Sequence, residues 1–419
     1  MDCIRSDAGR LTSTLLTRSR KQAAPSMDNA QQDNTRSGQR PTLPPLSLYI
    51  HIPWCVRKCP YCDFNSHESS DSLPEEAYID AMLEDLRHDL HFVQGREIST
   101  IFLGGGTPSL FSEKAISRLL NALKTELSFR NDCEITLEAN PGTFEQNKFA
   151  GFLAAGVNRL SIGVQSFDQH QLTALGRIHS SQDALTAIRS AQDVGYTRIN
   201  ADLMHGLPGQ TAAQAEADIR SALDCGISHL SWYQLTIEAN THFHKYPPLL
   251  PVEDTLADIQ RRGQRVLSEY GLQQYEVSAY ARQGQESRHN LNYWQFGDYL
   301  ALGAGAHGKI SLADSGKIVR YNKTRLPAHY LERNASRTAQ SSAIATSELA
   351  FEFLLNALRL NAGFSKKLFE IRTGQSLASI EAPLQAAIDE ELIERSGEQF
   401  RCSARGQLFL DDVVARFLG

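Results

Sequence analysis

Between residues 46 and 280, short apolar runs alternate with stretches whose apolar positions recur every three or four residues. Runs of the first kind, bounded by turn residues, predict buried strands; stretches of the second kind predict helices packed on one face. The predicted strands are 46–51, 100–104, 134–139, 159–164, 198–204 and 229–235. The first helix shows its period plainly. After a Ser72/Pro74 start signal, Ile79, Met82, Leu83, Leu86 and Leu90 fall on one side. Alternation of this kind is the pattern of parallel strands joined by crossover helices. The expected fold class is therefore α/β, a partial TIM-type (β/α)6 barrel over residues 45–280.

Such barrels carry their chemistry at the C-terminal ends of the strands. Polar residues fall there repeatedly: three cysteines follow the first strand, Gly104 to Thr107 the second, Glu138 ends the third, Gln165 the fourth, and Asp202 lies near the end of the fifth. The pattern predicts one ligand pocket across the barrel mouth.

Beyond the barrel, residues 281–345 combine an aromatic cluster, Arg288-His289-Asn290-Leu291-Asn292-Tyr293-Trp294, with the glycines of Gly303-Ala304-Gly305-Ala306-His307-Gly308. Residues 346–419 read as a small helical, winged-helix-like domain. A helix is expected over 347–360, and a short hairpin around Ser396 and Gly397. Residues 1–44 are rich in Ser, Arg, Gln, Asn and Thr, the composition of a disordered arm. Arg5, Arg10, Arg18 and Arg20 give a faint transit-peptide signal that Asp2 and Asp7 oppose, and Met27 is an alternative start that would remove residues 1–26.

Composition narrows the function classes. A net charge of −6 offers no field for nucleic acid or an acidic membrane. No apolar run reaches the roughly eighteen residues of a spanning helix. Seven cysteines in 419 residues are too few, and odd in number, for a disulfide framework. A reducing cytoplasm is the expected location.

Cys55, Cys59 and Cys62 make a CxxxCxxC run in LSLYIHIPWCVRKCPYCDF. Soft, anionic thiolates bind iron well, and three of them can hold three corners of a cubane normally held by four. One iron is then left for a ligand from elsewhere. The bland alternative is structural zinc, which usually closes with four Cys or His ligands in spaced pairs. His51 and His67 are the near candidates for a fourth ligand, and neither makes a familiar zinc spacing. Gly104, Gly105 and Gly106 lack side chains, so their backbone can approach a ligand, with carbonyls for an ammonium and N–H groups for a carboxylate. Arg57 and Lys58 either offset a cluster's charge or are simply solvated.

Together the cysteine run and the glycine triplet resemble the radical S-adenosylmethionine (SAM) proteins. The resemblance extends through YIHIP at 49–53, EANP at 138–141, GVQSF at 163–167, LGRIH at 175–179 and DLMHGLPGQT at 202–211. These segments are similar to the oxygen-independent coproporphyrinogen III oxidase superfamily over about residues 46–360. The resemblance implies a [4Fe–4S] cluster on Cys55, Cys59 and Cys62, with SAM on its unique iron. It implies SAM contacts at Tyr49, Gly105, Gly106, Thr107, Glu138, Gln165, Arg177 and Asp202. Taken alone, Glu138 and Asp202 could be helix caps and Arg177 a surface ion pair.

One departure separates branches of that superfamily. The oxidases carry another cysteine two residues after the third, where this chain has Phe64. The CDFNSH continuation and His289-Asn290-x-x-Tyr293-Trp294 resemble the heme chaperone branch instead. That resemblance implies haem binding, with His289 as the candidate ligand and His307 and Tyr293 in reserve. It also implies transfer to acceptor haemoproteins, respiratory enzymes among them, by transient contact where these are membrane-bound. Imidazole can ligate haem iron and flat rings can pack on a porphyrin. Without the resemblance, the same residues read as a core His–aromatic cluster. The rival reading is the oxidase reaction itself, in which SAM cleavage to methionine and a 5′-deoxyadenosyl radical starts oxidative decarboxylation.

Overall fold

The computed structural model describes residues 43–69, 72–142 and 146–418, so the predicted arm lies outside the described residues but for its last two. Among the described residues one sheet holds twelve strands. In chain order they are β1 (Leu46–Ile52), β2 (Ile98–Gly105), β3 (Phe129–Ala139), β4 (Arg159–Gln165), β5 (Ile199–His205), β6 (His229–Gln234), β7 (Gln273–Glu276), β8 (Ala279–Ala281), β9 (Asp298–Leu302), β10 (His307–Ser311), β11 (Ile318–Lys323) and β12 (Thr338–Ala343). The order across the sheet is β12-β11-β10-β9-β1-β2-β3-β4-β5-β6-β8-β7.

From β1 to β6 every neighbouring pair is parallel, as the α/β pattern requires. All seven residues of β1 are buried, the condition of a strand covered on both faces. The sheet goes further than expected. β9 pairs parallel with β1, Leu46 opposite Asp298 and Ile50 opposite Leu302, adding a seventh parallel strand. Antiparallel β8 and β10 then extend the two sides. The region expected as a separate extension at 281–345 thus supplies strands to the barrel sheet.

Helix α1 (Glu75–Asp89) buries Ile79, Met82, Leu83 and Leu86 as its period predicts, while Leu90 falls past its end in a tighter turn. Helix α2 (Glu113–Glu126) starts at Ser112, whose hydroxyl accepts from the Ala115 N–H, and buries Ile116, Leu119, Leu120 and Leu123. Capping boxes at Ser180/Asp183 and Thr211/Gln214 open α3 (Ser181–Asp193) and α4 (Ala212–Leu223). A buried ion triad ties β11 to α1: Lys323 Nζ donates to Asp85 at 2.7 Å and to Asp89 at 2.6 Å. Tyr330 donates to the other Asp85 oxygen at 2.8 Å. Removing the lysine alone would leave carboxylates buried and uncompensated, a loss of about 3–5 kcal/mol.

Pro45–Ile310 with Val319–Ser342 form one compact unit, and Ser311–Ile318 with Ala343–Gly419 belong to another. The second contains a helix at Leu349–Ala357, shorter than the expected 347–360. Its three-stranded sheet comprises β13 (Phe364–Ser365), β14 (Ile393–Ser396) and β15 (Gln399–Cys402). The predicted hairpin is present: Ser396 pairs with Gln399 across a turn in which Gly397 takes φ 62°. Among the described residues no helix is long and apolar enough to cross a membrane.

Candidate functional site

The chain leaves β1 through Pro53 and folds the cysteines into a loop closed by a short parallel pairing of Trp54–Cys55 with His67–Glu68. Trp54 anchors the loop, its ring 4.7 Å from Tyr78 and 6.0 Å from Phe111. Lys58 is not simply solvated: its Nζ donates to the carbonyls of Phe64 and Ser66 at 3.1 and 3.2 Å, clasping the loop from outside. Asn65 ties the loop's far end to the carbonyls of Ala304 and Arg325. Cys55, Cys59 and Cys62 are all free and half-buried.

Each sulfur faces a different polar neighbour. Thr107 donates to Cys55 Sγ at 3.5 Å, Arg177 Nη1 reaches Cys59 Sγ at 3.5 Å, and Cys62 Sγ lies 3.7 Å from the Ser66 hydroxyl. Asn140 completes the arrangement, donating to Thr107 at 2.9 Å and accepting from Arg177 Nη2 at 2.6 Å. Arg177 also donates to the Gly163 carbonyl at 2.8 Å. The polar chain thus runs from Cys55 through Thr107, Asn140 and Arg177 to Cys59.

Burial pushes the Cys62 thiol up to about 12 and raises that of Cys55, the latter against the Thr107 hydroxyl. The two are therefore protonated at neutral pH until a metal offsets the desolvation of the thiolates. Among the described residues no three His, Cys, Asp or Glu side chains gather tightly enough around one ion. The donor set suits iron–sulfur chemistry: soft sulfurs, with a guanidinium beside one of them. Arg177 Nε is also buried without a partner, a donor left over for an anionic group.

The glycine turn at the end of β2 requires its glycines. Gly105 takes φ 118°, and a Cβ there would sit 2.7 Å from the His51 ring. A Cβ on Gly106 would stand 2.4 Å from the Trp54 carbonyl oxygen. The N–H groups expected to receive a carboxylate have partners within the protein in this conformation. The Gly105 N–H donates to Glu138 at 3.2 Å, that of Gly106 to the Ile52 carbonyl at 2.8 Å, and that of Thr107 to the Trp54 carbonyl at 2.7 Å. The turn is stitched to β1, to the cysteine loop and to the Glu138 side chain of β3, which together take those three donors.

Other expected residues divide into groups. Gln165 ends β4 with φ 69°, rare for a side-chain-bearing residue, and accepts from Tyr233 at 2.7 Å. Asp202 accepts from Ser161 at 2.9 Å and Asn200 at 2.8 Å, and Ser161 lies opposite Glu138 in the sheet register. Tyr49 is buried in β1, 3.0 Å from His51 Nδ1 and stacked on Phe102.

His289 is not with them. It opens the helix Arg288–Trp294, is 0% exposed, and meets Thr100 Oγ1 at 2.7 Å. Thr100 lies five residues before Gly105 on β2, about 16 Å down the strand at some 3.3 Å per residue. Because the Thr100 hydroxyl donates to Ser47, the His289 Nδ1–H donates to Thr100, and Nε2 accepts from Tyr293 at 3.1 Å. Burial holds the ring neutral, well below the usual histidine range. The expected haem ligand therefore presents no free ring nitrogen in this conformation. His307, held in reserve, is exposed, and Tyr293 is half-buried.

Comparison with known proteins follows the same lines. The family model of the Radical SAM superfamily matches residues 49–222, from β1 to the end of α4, and that of the HemN C-terminal domain matches 345–409. The heme chaperone HemW of Haemophilus influenzae is 46% identical over 90% of this chain and 99% of its own length. The Escherichia coli heme chaperone HemW is likewise 46% identical over 90% of the chain and 99% of that relative. The chain belongs to the HemW family. Among solved structures, coproporphyrinogen III oxidase (HemN) from Escherichia coli, a radical SAM enzyme, aligns with a TM-score of 0.76 over 90% of each chain. At 22% identity that likeness shows the fold, a radical SAM barrel. Asn140 and Ser66, placed at the site by their contacts with Thr107, Arg177 and Cys62, are the residues that sequence reasoning passed over. Both stood in segments already singled out, EANP and CDFNSH.

Proposed function

We propose that this chain is a haem chaperone: it binds haem and transfers it to acceptor haemoproteins, carrying a [4Fe–4S] cluster on Cys55, Cys59 and Cys62 with SAM at the open iron. The observation that carries the cofactor reading is the polar chain from Cys55 to Cys59, with Arg177 beside one sulfur and an unspent Nε. Family membership carries the cargo. A bound cluster supplies one-electron reduction to the SAM sulfonium. The residues around it hold and orient: Thr107 and Arg177 donate to sulfur and Asn140 fixes both, while Glu138, Gln165, Asp202 and Tyr49 are the further SAM contacts of this proposal. Gly105 and Gly106 allow the backbone to close on the cysteine loop.

The proposed location is the cytoplasm and the proposed partners are acceptor haemoproteins, with membrane-bound respiratory enzymes reached by transient contact. The oxidase reading is disfavoured by Phe64, whose carbonyl accepts from Lys58 where the oxidases carry a further cysteine two residues after the third. Anaerobic titration of the cluster-bearing protein with haem, with and without SAM, tests the proposal. Saturable binding followed by transfer to an apo-haemoprotein is expected. Formation of protoporphyrinogen from coproporphyrinogen III with reductant and SAM would overturn it.

A further inference from the structure

The segment after β6 carries features that the cluster site does not use. Thr241 caps a short helix, His242–Lys245, accepting from the His244 N–H. Phe243 points inward, packed with Leu175, Met204, Leu207 and Leu235, and Tyr61 closes over the same group. Its N–H donates to the Pro60 carbonyl at 3.0 Å, between Cys59 and Cys62. The segment is thereby pinned to the cysteine loop from outside.

What it turns to solvent is unusual. Tyr246 is 57% exposed, Leu249 88% and Val252 70%, within the run Tyr246-Pro247-Pro248-Leu249-Leu250-Pro251-Val252. Prolines hold such a run extended, so its apolar side chains stay presented to solvent. His242 is exposed and its ring lies 4.9 Å from that of Tyr246, on one face of the turn. Lys245 Nζ stands 5.2 Å above the Tyr246 ring. Along the chain the apolar run is bounded by Lys245 on one side and by Glu253 and Asp254 on the other.

We propose that this strap, 242–252, is the surface on which haem is received, with His242 as axial ligand, Tyr246, Leu249 and Val252 against the macrocycle, and Lys245 at its carboxylate edge. The inference rests on the haem-chaperone reading and adds the place of the cargo. Haem is a flat apolar disc with two carboxylates on one edge, and an iron that takes imidazole. The strap offers an apolar bed, a solvent-facing imidazole and a cation at one end. The carboxylates face Lys245 because Glu253 and Asp254 repel them from the other. An exposed bed also suits a carrier, since an acceptor must reach the cargo to remove it. His289, enclosed between Thr100 and Tyr293, offers none of this.

The test is titration of the full chain, anaerobic and carrying its cluster, with ferric haem, read by the Soret band. Leu249→Asp with Val252→Asp is expected to weaken binding roughly tenfold, the equivalent of about 1.4 kcal/mol. His242→Ala should change the position of the Soret band, while His244→Ala should leave it unaltered. All four substituted side chains are exposed, so the fold and the cluster spectrum serve as internal controls. Wild-type affinity and spectrum in both the His242 and the Leu249/Val252 variants would overturn the strap assignment. Failure of the wild-type chain to bind haem at all would instead overturn the chaperone reading.

Discussion

His289→Ala separates a structural role for the His289–Tyr293 pair from a ligand role. The ring is fully buried, donates to Thr100 at 2.7 Å and accepts from Tyr293 at 3.1 Å. Its backbone N–H is held by Glu134 at 3.1 Å, so the helix cannot easily slide to fill a gap. Each buried hydrogen bond lost with one partner left behind costs about 1–3 kcal/mol, and the vacated ring adds a cavity term. The expected destabilisation is about 3–5 kcal/mol, against about 1 kcal/mol for Tyr293→Phe, which keeps the ring volume. Denaturation followed by tryptophan fluorescence is the assay. Trp54, Trp232 and Trp294, the three tryptophans of the chain, all lie in the unit containing Pro45–Ile310, so the signal reports that unit. A loss of stability below about 1 kcal/mol, with haem binding abolished, would refute the brace and restore His289 as a ligand.

Gly105→Ala should lose SAM binding and perturb the His51 ring, because the added methyl meets that ring at 2.7 Å and φ is 118°; isothermal titration with SAM reads it, and unchanged affinity would contradict the geometry. Thr107→Val keeps the shape but removes the donor to Cys55 and the acceptor for Asn140, so the reduced cluster's midpoint potential should fall in an EPR-monitored redox titration. Cys59→Ser should abolish the cluster spectrum while leaving the folded barrel's circular dichroism intact. His205 is a pH test. Burial lowers its pKa to about 3, so its contribution to stability is present above the unfolded value near 6.5 and is lost as pH falls toward 3. Between pH 7 and pH 5 the wild type should lose about 2 kcal/mol more than His205→Gln, measured by chemical denaturation.

Much of this architecture was legible because its causes are local. β1 is an uninterrupted apolar run, and Ile79, Met82, Leu83 and Leu86 keep helical period, so burial on both faces of the sheet and one face of α1 follows directly. Asp298–Leu302 escaped because its five buried residues follow an aromatic helix of only seven residues, too short to read as a crossover, and their partner is the distant β1. The cysteine trio and the glycine turn were visible as spacing, yet the hydrogen-bond partners of the turn were not. Which N–H groups remain for a ligand depends on how the loop folds back onto Ile52 and Trp54. Asn140 is a polar residue like many others until Thr107 and Arg177 flank it in space. His289 looked like a ligand because its neighbours are aromatic; the contact that encloses it, Thr100, lies 189 positions away in the chain. Exposure separates it from His242, and exposure is a property of the whole fold.

The central claim is that three thiolates hold a four-iron cluster whose remaining iron is open to SAM. Electron paramagnetic resonance of the dithionite-reduced, anaerobically reconstituted protein, recorded with and without SAM, tests it most directly. The account predicts a [4Fe–4S] signal whose g-values move when SAM is added and that disappears in Cys59→Ser. A protein that binds stoichiometric zinc instead, or a cluster whose spectrum is indifferent to SAM, would contradict it.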